Sequence, residues 1–275
     1  MPLPPDFEQV RTEAWSLVRD TMGYLTRREA DFLTLAAAVA PARGAILEIG
    51  SFKGRSTVGL AYVARHYGLG KVVAVDPHTS PSATDPDLRG AASSWDAFCA
   101  SLRRAGVEEI VEPHRTFSTE LARNWNEPLR LLWIDGDHTY PGAKADLEAF
   151  RPHLVQGSIV ALHDALRDFG GPTRVFVEEI LRSDDYGPAG VCGSIAWAQY
   201  RPSDGGEPRF REARKRLESR MAPLVPLVRD DRKLSGARKL YFKVRRAMVP
   251  RGEVDPGEFA KQVALTSGSE ELEWE

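Results

Sequence analysis

AILEIGSFKGRS, residues 45–56, is the stretch that decides the architecture of this chain. An apolar run broken only by Glu48 leads into Gly50, and Gly54 follows just ahead of a helical pattern. A strand that ends in glycine can turn sharply and bring its backbone close to a ligand. A helix starting on the far side offers unpaired amide groups to an anion. Two readings stand level for such a turn alone. It is an ordinary tight strand-to-helix connection, or it is a nucleotide site with Glu48, Gly50, Ser51, Phe52, Gly54 and Ser56 around the ligand.

The next apolar segment, Lys71 to Asp76, ends in an acid. Doubly wound folds place a carboxylate there that accepts hydrogen bonds from a ribose, so turn and acid together favour an adenosine-containing ligand. A nicotinamide-dependent oxidoreductase would use the same acid, but its usual turn is G-x-G-x-x-G. Here Ser51, Phe52 and Lys53 separate the two glycines, which makes that reading the weaker alternative.

Further apolar segments recur at Ile110 to Glu112, Leu129 to Asp135, Ser158 to His163 and Ser194 to Tyr200, separated by helical patterns that include one starting near Thr173. Strands alternating with helices predict an α/β, Rossmann-like, doubly wound and mostly parallel seven-stranded sheet with helices on both faces. Two helices, Phe7 to Met22 and Thr26 to Val39, precede it and make residues 1–43 a helical cap. Residues 44–200 form the ligand-binding domain. Residues 201–275 read as a linker, a basic stretch from Arg209 to Arg246 and an acidic end, with partial disorder expected from the composition.

A formal net charge of -2 over 275 residues gives no global reason to expect a nucleic-acid partner. Two separated cysteines, no secretory pattern at the start and no long apolar run point to a soluble cytoplasmic protein. Lys and Arg interleaved with apolar residues over 209–246 suit an anionic membrane surface or a polyanionic acceptor. A solvated, partly helical tail is the favoured alternative.

The densest chemistry lies in LLWIDGDHTY, residues 131–140, where an apolar strand delivers Asp135, Asp137 and His138 into a polar turn. The following strand ends in His163 and Asp164, so neighbouring strands present ionisable groups at one edge, where open α/β sheets bind ligands. Singly, each acid reads as a helix cap and each histidine as a backbone-satisfied ring. Their convergence favours a functional cluster.

LEIGSFKGRSTV, residues 47–58, resembles motif I of class I S-adenosylmethionine-dependent methyltransferases, in particular the catechol and macrocin O-methyltransferase-like groups. WIDGDHTYPGAKADL followed by VALHDAL resembles the Methyltransferase-24 family. The resemblance implies S-adenosyl-L-methionine as cofactor, with the glycine turn facing its methionine part, Ser56 holding the carboxylate and Asp76 binding the ribose hydroxyls. It further implies Ser118 beside the adenine, where a helix-capping role is an equal alternative. It implies a divalent ion on Asp135, His163 and Asp164, Mg²⁺ being the usual one. The imidazole of His163 departs from an all-oxygen set and leaves Mn²⁺ or another divalent ion open. Either Asp137, ranked slightly ahead, or His138 would be the base. The implied activity is O-methylation of a hydroxylated small molecule such as a sugar, glycan precursor or natural product, compatible with a homo-oligomer. A non-catalytic cofactor-binding scaffold is the rival from another class, and the full set of acids and histidines argues against it. Acceptor choice is expected from the N-terminal helices, the Thr79 to Ser94 insertion acting as a lid, and the Arg167 to Arg174 loop.

Overall fold

Strands β1 (Ala45–Ile49), β2 (Val72–Val75), β3 (Val111–His114), β4 (Leu129–Ile134) and β5 (Leu154–Leu162) run parallel, in the order β3-β2-β1-β4-β5. β7 (Ile195–Tyr200) then pairs antiparallel with both β5 and the edge strand β6 (Tyr186–Cys192). The computed structural model describes residues 2–228 and 234–265. The sheet is the doubly wound, mostly parallel, seven-stranded one that the sequence predicts.

Side chains alternate across the sheet as the pleat requires. Ile46, Leu131, Trp133, Ile159 and Ala161 face one core. Leu47, Ile49, Leu132, Ile134, Val160 and Leu162 face the other. Because both faces are covered, the central strands read as near-continuous apolar runs, which is why they were legible without alternation. The first core is closed by α1 (Phe7–Arg19), α2 (Arg27–Val39), α3 (Arg55–His66) and α4 (Trp95–Ala105). α5 (Ser118–Ala122), α6 (Tyr140–Phe150) and α7 (Gly170–Val175), which continues as a π-type turn over Phe176–Leu181, lie on the second. The cap expected over residues 1–43 thus contributes two helices to a layer of the domain. α2 starts with a capping box in which Thr26 and Glu29 satisfy each other's backbone amides.

Two elements differ from the sequence reading. β6 carries Gly187, Pro188 and Gly190, composition that argues against a strand, but at a sheet edge a proline removes no ladder bond. Among the described residues beyond 200, three α-helices stand where the composition suggested partial disorder. α8 (Pro208–Met221), α9 (Gly236–Ala247) and α10 (Pro256–Val263) are helical, and the acidic end beyond residue 265 lies outside the described residues.

In α8 the apolar residues are few but lie four apart at Leu217 and Met221, both buried against the second core. The buried Arg214 pins the helix by donating to the carbonyls of Gly205 (2.8 Å) and Tyr186. α10 lays Phe259 edge-on against Trp197 (4.8 Å) and Phe32 (5.4 Å). Long arginine stems and a handful of well-spaced apolar residues therefore do here what a uniformly apolar helix does elsewhere. Among the described residues, no helix is long and apolar enough to cross a membrane.

Candidate active site

A cavity of about 670 Å³ opens at the carboxyl ends of β1, β2, β4 and β5, where strand order reverses. Its volume is that of a small-ligand site. One wall is the glycine turn with Asp76, and the other is Asp135, Asp137, His138, His163 and Asp164. The two motifs, read separately in the sequence, therefore share one cavity.

At the turn, Gly50 has φ +87°, and a Cβ on it would lie 2.2 Å from the carbonyl oxygen of Asp135. The turn needs glycine because the β4 backbone passes that close. Gly54, at φ +88°, opens α3. Asp76 is oriented by two backbone amides: Oδ2 accepts from Phe52 (2.7 Å) and Oδ1 from His78 (2.5 Å). Each carboxylate oxygen keeps a lone pair for a ligand. Ser51 is buried on the cavity wall and its hydroxyl has no partner.

Glu48 does not face the ligand, which corrects the sequence assignment. It is wholly buried, lies off the cavity lining, and accepts hydrogen bonds from Ser56 and Thr57. Burial pushes its carboxyl up to about 8, so near neutral pH it is largely protonated and serves to tie β1 to the first turn of α3. Ser56 and Phe52 do line the cavity.

Ser118 also lines the cavity, as the first residue of α5, and makes no capping bond. Its hydroxyl instead donates to Asp146 of α6. Burial raises Asp146 to about 6, opposed by that hydrogen bond and reinforced by the charge of Asp137. A raised carboxyl means that the folded state binds more protons than the unfolded chain between about pH 4 and 6. Stability from this group therefore falls as pH rises through that window. The shift corresponds to roughly 3 kcal/mol. Asp146→Asn is expected to recover most of that at pH 8 and little at pH 4. Urea unfolding at the two pH values checks this, and equal gains at both would show that the charge is not the cost.

At the far wall, Asp135 ends β4 while His163 and Asp164 end β5. Asp164 has φ +55°, which turns its carboxylate back toward the neighbouring strand. His163 Nδ1 lies 2.9 Å from Asp135 Oδ1 and 3.7 Å from Asp164 Oδ1. His138 Nε2 lies 3.3 Å from Asp135 Oδ1 and 3.8 Å from Asp164 Oδ2, and neither of its ring nitrogens has an aligned hydrogen-bond partner. One potential ligand atom from each of Asp135, His138 and His163 lies within 4.8 Å of the other two. Burial would raise Asp135, but the charge of His163, its hydrogen bond and the nearby His138 ring bring it down to about 2. The reverse holds for the rings. Burial opposes their charged forms, yet Asp135 and its neighbours raise His138 and raise His163 well above the ordinary value.

Asp137, the base ranked first in the sequence, sits in a different environment from His138. Its Oδ1 accepts from Ser82 (2.9 Å), Thr84 (2.9 Å) and the Thr139 amide (2.9 Å), and its Oδ2 accepts from the Thr139 hydroxyl (3.0 Å). Against burial, these bonds hold its carboxyl below the usual range. It fastens the 79–94 insertion across the cavity mouth.

Four contributors were not singled out in the sequence. Glu29 of α2, legible only as a capping residue, sends Oε1 to the Ser194 amide (2.8 Å) and hydroxyl (2.6 Å). Its Oε2 lies 3.9 Å from His163 Nε2. Phe169, in the loop before α7, stacks on the His138 ring at 4.7 Å. Ser82 and Thr84 bring the insertion to Asp137. No local pattern reports these reaches, because each spans more than thirty residues of chain or a loop of irregular path.

The comparisons with known proteins agree with this geometry. The structure of the O-methyltransferase NovP superimposes with a TM-score of 0.56 at 16% identity, covering 70% of this chain and 88% of that one. Cofactor-bound Rv0187 from MTB gives 0.50 at 20% identity, covering 72% of this chain and 90% of that one. At such identities the likeness speaks for the fold. Residues 47–165 match the family model Methyltransf_24, described as a methyltransferase domain, and this span runs from the glycine turn to the residue after Asp164. With the doubly wound sheet, the glycine turn and Asp76 on one cavity, residues 47–165 are the part of the chain that matches the Methyltransf_24 methyltransferase domain.

Proposed function

We propose that this enzyme moves the methyl group of S-adenosylmethionine to a hydroxyl oxygen of a small hydroxylated metabolite, of the sugar or natural-product kind, with a divalent ion at the Asp135 wall. The observation that carries this is the convergence of two acids and two histidines on the cavity that also holds the glycine turn. In the transfer the sulfur–carbon bond breaks as the carbon–oxygen bond forms. The sulfonium becomes a neutral thioether, and the hydroxyl proton goes to a base.

His138 suits the role of base. Its ring is held flat by Phe169, its nitrogens lack aligned partners, and Asp135 and Asp164 stabilise the imidazolium that forms. Asp137, saturated by four donors, is the weaker acceptor of a proton.

Asp135, His163 and Asp164 fit a divalent ion. Their nearest atoms are 2.9 and 3.7 Å apart, and Glu29 stands beyond His163 as the carboxylate that orients a ligating imidazole. An imidazole in the set suits Mn²⁺, Fe²⁺ or Zn²⁺ better than Mg²⁺. A bound ion there would polarise the acceptor hydroxyl and fix its position. A metal-free reading has its own support: His163, protonated between Asp135 and Glu29, already supplies a positive charge at that wall.

Calorimetric titration of metal-stripped protein with MnCl₂ and MgCl₂, followed by methyl transfer from labelled S-adenosylmethionine to a panel of hydroxylated acceptors, tests both readings. Mn²⁺ is expected to bind more tightly than Mg²⁺ and to restore turnover. Full turnover under excess chelator would leave His138 and Asp135 as an unaided base pair. No transfer to any hydroxyl, with transfer to amines or thiols instead, would overturn the oxygen acceptor.

A further inference from the structure

Eight large apolar residues stand exposed among the described ones, and their distribution is uneven. Met22, Tyr24 and Phe117 rim the cavity. Leu240, Tyr241, Val244 and Met248, between 45% and 65% exposed, belong to α9 and the residue that ends it. With the exposed Ala237 and Ala247, they recur at intervals of three and four, so they share one face of the helix and that face points to solvent. The opposite side is docked: Phe242 is buried in the second core, and Arg238 donates to the carbonyl of Pro226 (2.9 Å).

The charge pattern identifies what covers this face. From Leu234 to Gly252 the sequence holds Arg238, Lys239, Lys243, Arg245, Arg246 and Arg251 and no acid, in a chain whose formal net charge is -2. Lys239 and Lys243 are exposed and lie along one flank of the apolar stripe. An apolar face edged by lysines on a short surface helix is the pattern that lies in the interface of an anionic bilayer, with apolar side chains among the acyl chains and ammonium groups at headgroup level. Self-association is disfavoured by the same cations, because pairing two such faces would bring like charges together along the seam.

We propose that α9 is a docking helix for anionic lipid surfaces. The attachment is peripheral and reversible, since one short helix buries few side chains.

The test is co-sedimentation of the full-length protein with vesicles of phosphatidylcholine alone and of phosphatidylcholine with 30 mol% phosphatidylserine, the latter about the anionic content that gives inner-leaflet potentials. Binding is expected on the anionic vesicles, at least about tenfold weaker on neutral ones, and to fall as salt screens the lysines. Leu240→Glu with Val244→Glu is expected to lower binding at least about tenfold, and Lys239→Glu with Lys243→Glu to do so comparably. S-adenosylmethionine binding in both double variants should match the parent, which reports an intact fold, since all four side chains are exposed. Absence of wild-type binding to anionic vesicles overturns the proposal, as does binding that survives Leu240→Glu with Val244→Glu. So does a dimer in sedimentation velocity that this variant converts to monomer while vesicles capture neither form.

Discussion

Asp135→Asn is expected to lower methyl transfer by about 10²–10⁴-fold while S-adenosylmethionine binding changes by less than about tenfold. The asymmetry follows from where the carboxylate sits. Asp135 Oδ1 is the shared neighbour of His138 Nε2 (3.3 Å) and His163 Nδ1 (2.9 Å), so its charge sets the protonation of both rings. The amide keeps the shape and removes the charge. His138 then loses the partner that stabilises its imidazolium, and a divalent ion loses an anionic ligand.

Thermal stability should fall as well, because removing one member of a buried ion pair leaves the other uncompensated, at a cost of about 3–5 kcal/mol. Glu29, on the other side of His163, lessens that cost. The decisive readout is the split between turnover and cofactor affinity. A variant that loses both in parallel would place Asp135 in cofactor binding, and one that loses neither would remove it from the mechanism. A comparison with His138→Gln sharpens this, since a proton acceptor there predicts a loss of turnover that is relieved as pH rises.

Gly50→Val should abolish S-adenosylmethionine binding and destabilise the fold by about 3 kcal/mol or more. A Cβ at this position would stand 2.2 Å from the carbonyl oxygen and 2.5 Å from the carbonyl carbon of Asp135, and 2.8 Å from the Gly136 nitrogen. All three are backbone atoms at the end of β4, so no side-chain rotation relieves the clash. The strand carrying Asp135 must move, and with it the wall of the cavity. Gly68→Ala is the control. Its φ is +61°, but nothing lies within 4 Å of the added Cβ, so only the left-handed penalty of about 1 kcal/mol applies. Urea unfolding and calorimetry on the two variants separate the effects. Equal losses would show that backbone conformation alone, and not the approach of β4, makes glycine necessary at residue 50.

The two variants also show how the chemistry depends on strand order. Gly50 and Asp135 are 85 residues apart in the chain, yet Asp135 donates its amide to the carbonyl of Ile49 (2.8 Å). The parallel pairing of β1 with β4 brings the donor-binding turn and the acid-bearing wall to one edge. That is why a local clash at one reaches the other.

Periodicity and turn chemistry are relations between near neighbours, and so they were readable along the chain. The apolar runs of β1, β4 and β5, the glycine turn, Asp76, and the pairs Asp135 with His138 and His163 with Asp164 all belong to that class. β6 was hidden because a strand's composition rules relax at a sheet edge. Helices α8, α9 and α10 were hidden because they bury only a few well-placed side chains among many charges. Within the site, the sequence located Asp76, Asp135, Asp137, His138, His163 and Asp164, since each follows a strand whose direction is set by the fold, whereas Asp146 and Asp85 reach the cavity from α6 and the insertion. Only the tertiary structure decided what each group meets there. Glu48 turns inward to Ser56 and Thr57, Asp137 is saturated by Ser82, Thr84 and Thr139, and Glu29 arrives from α2 behind His163. The physical reason is range. A strand end fixes where a side chain begins, whereas its protonation and its partners are set by groups that only the packing of distant segments brings within a few ångströms.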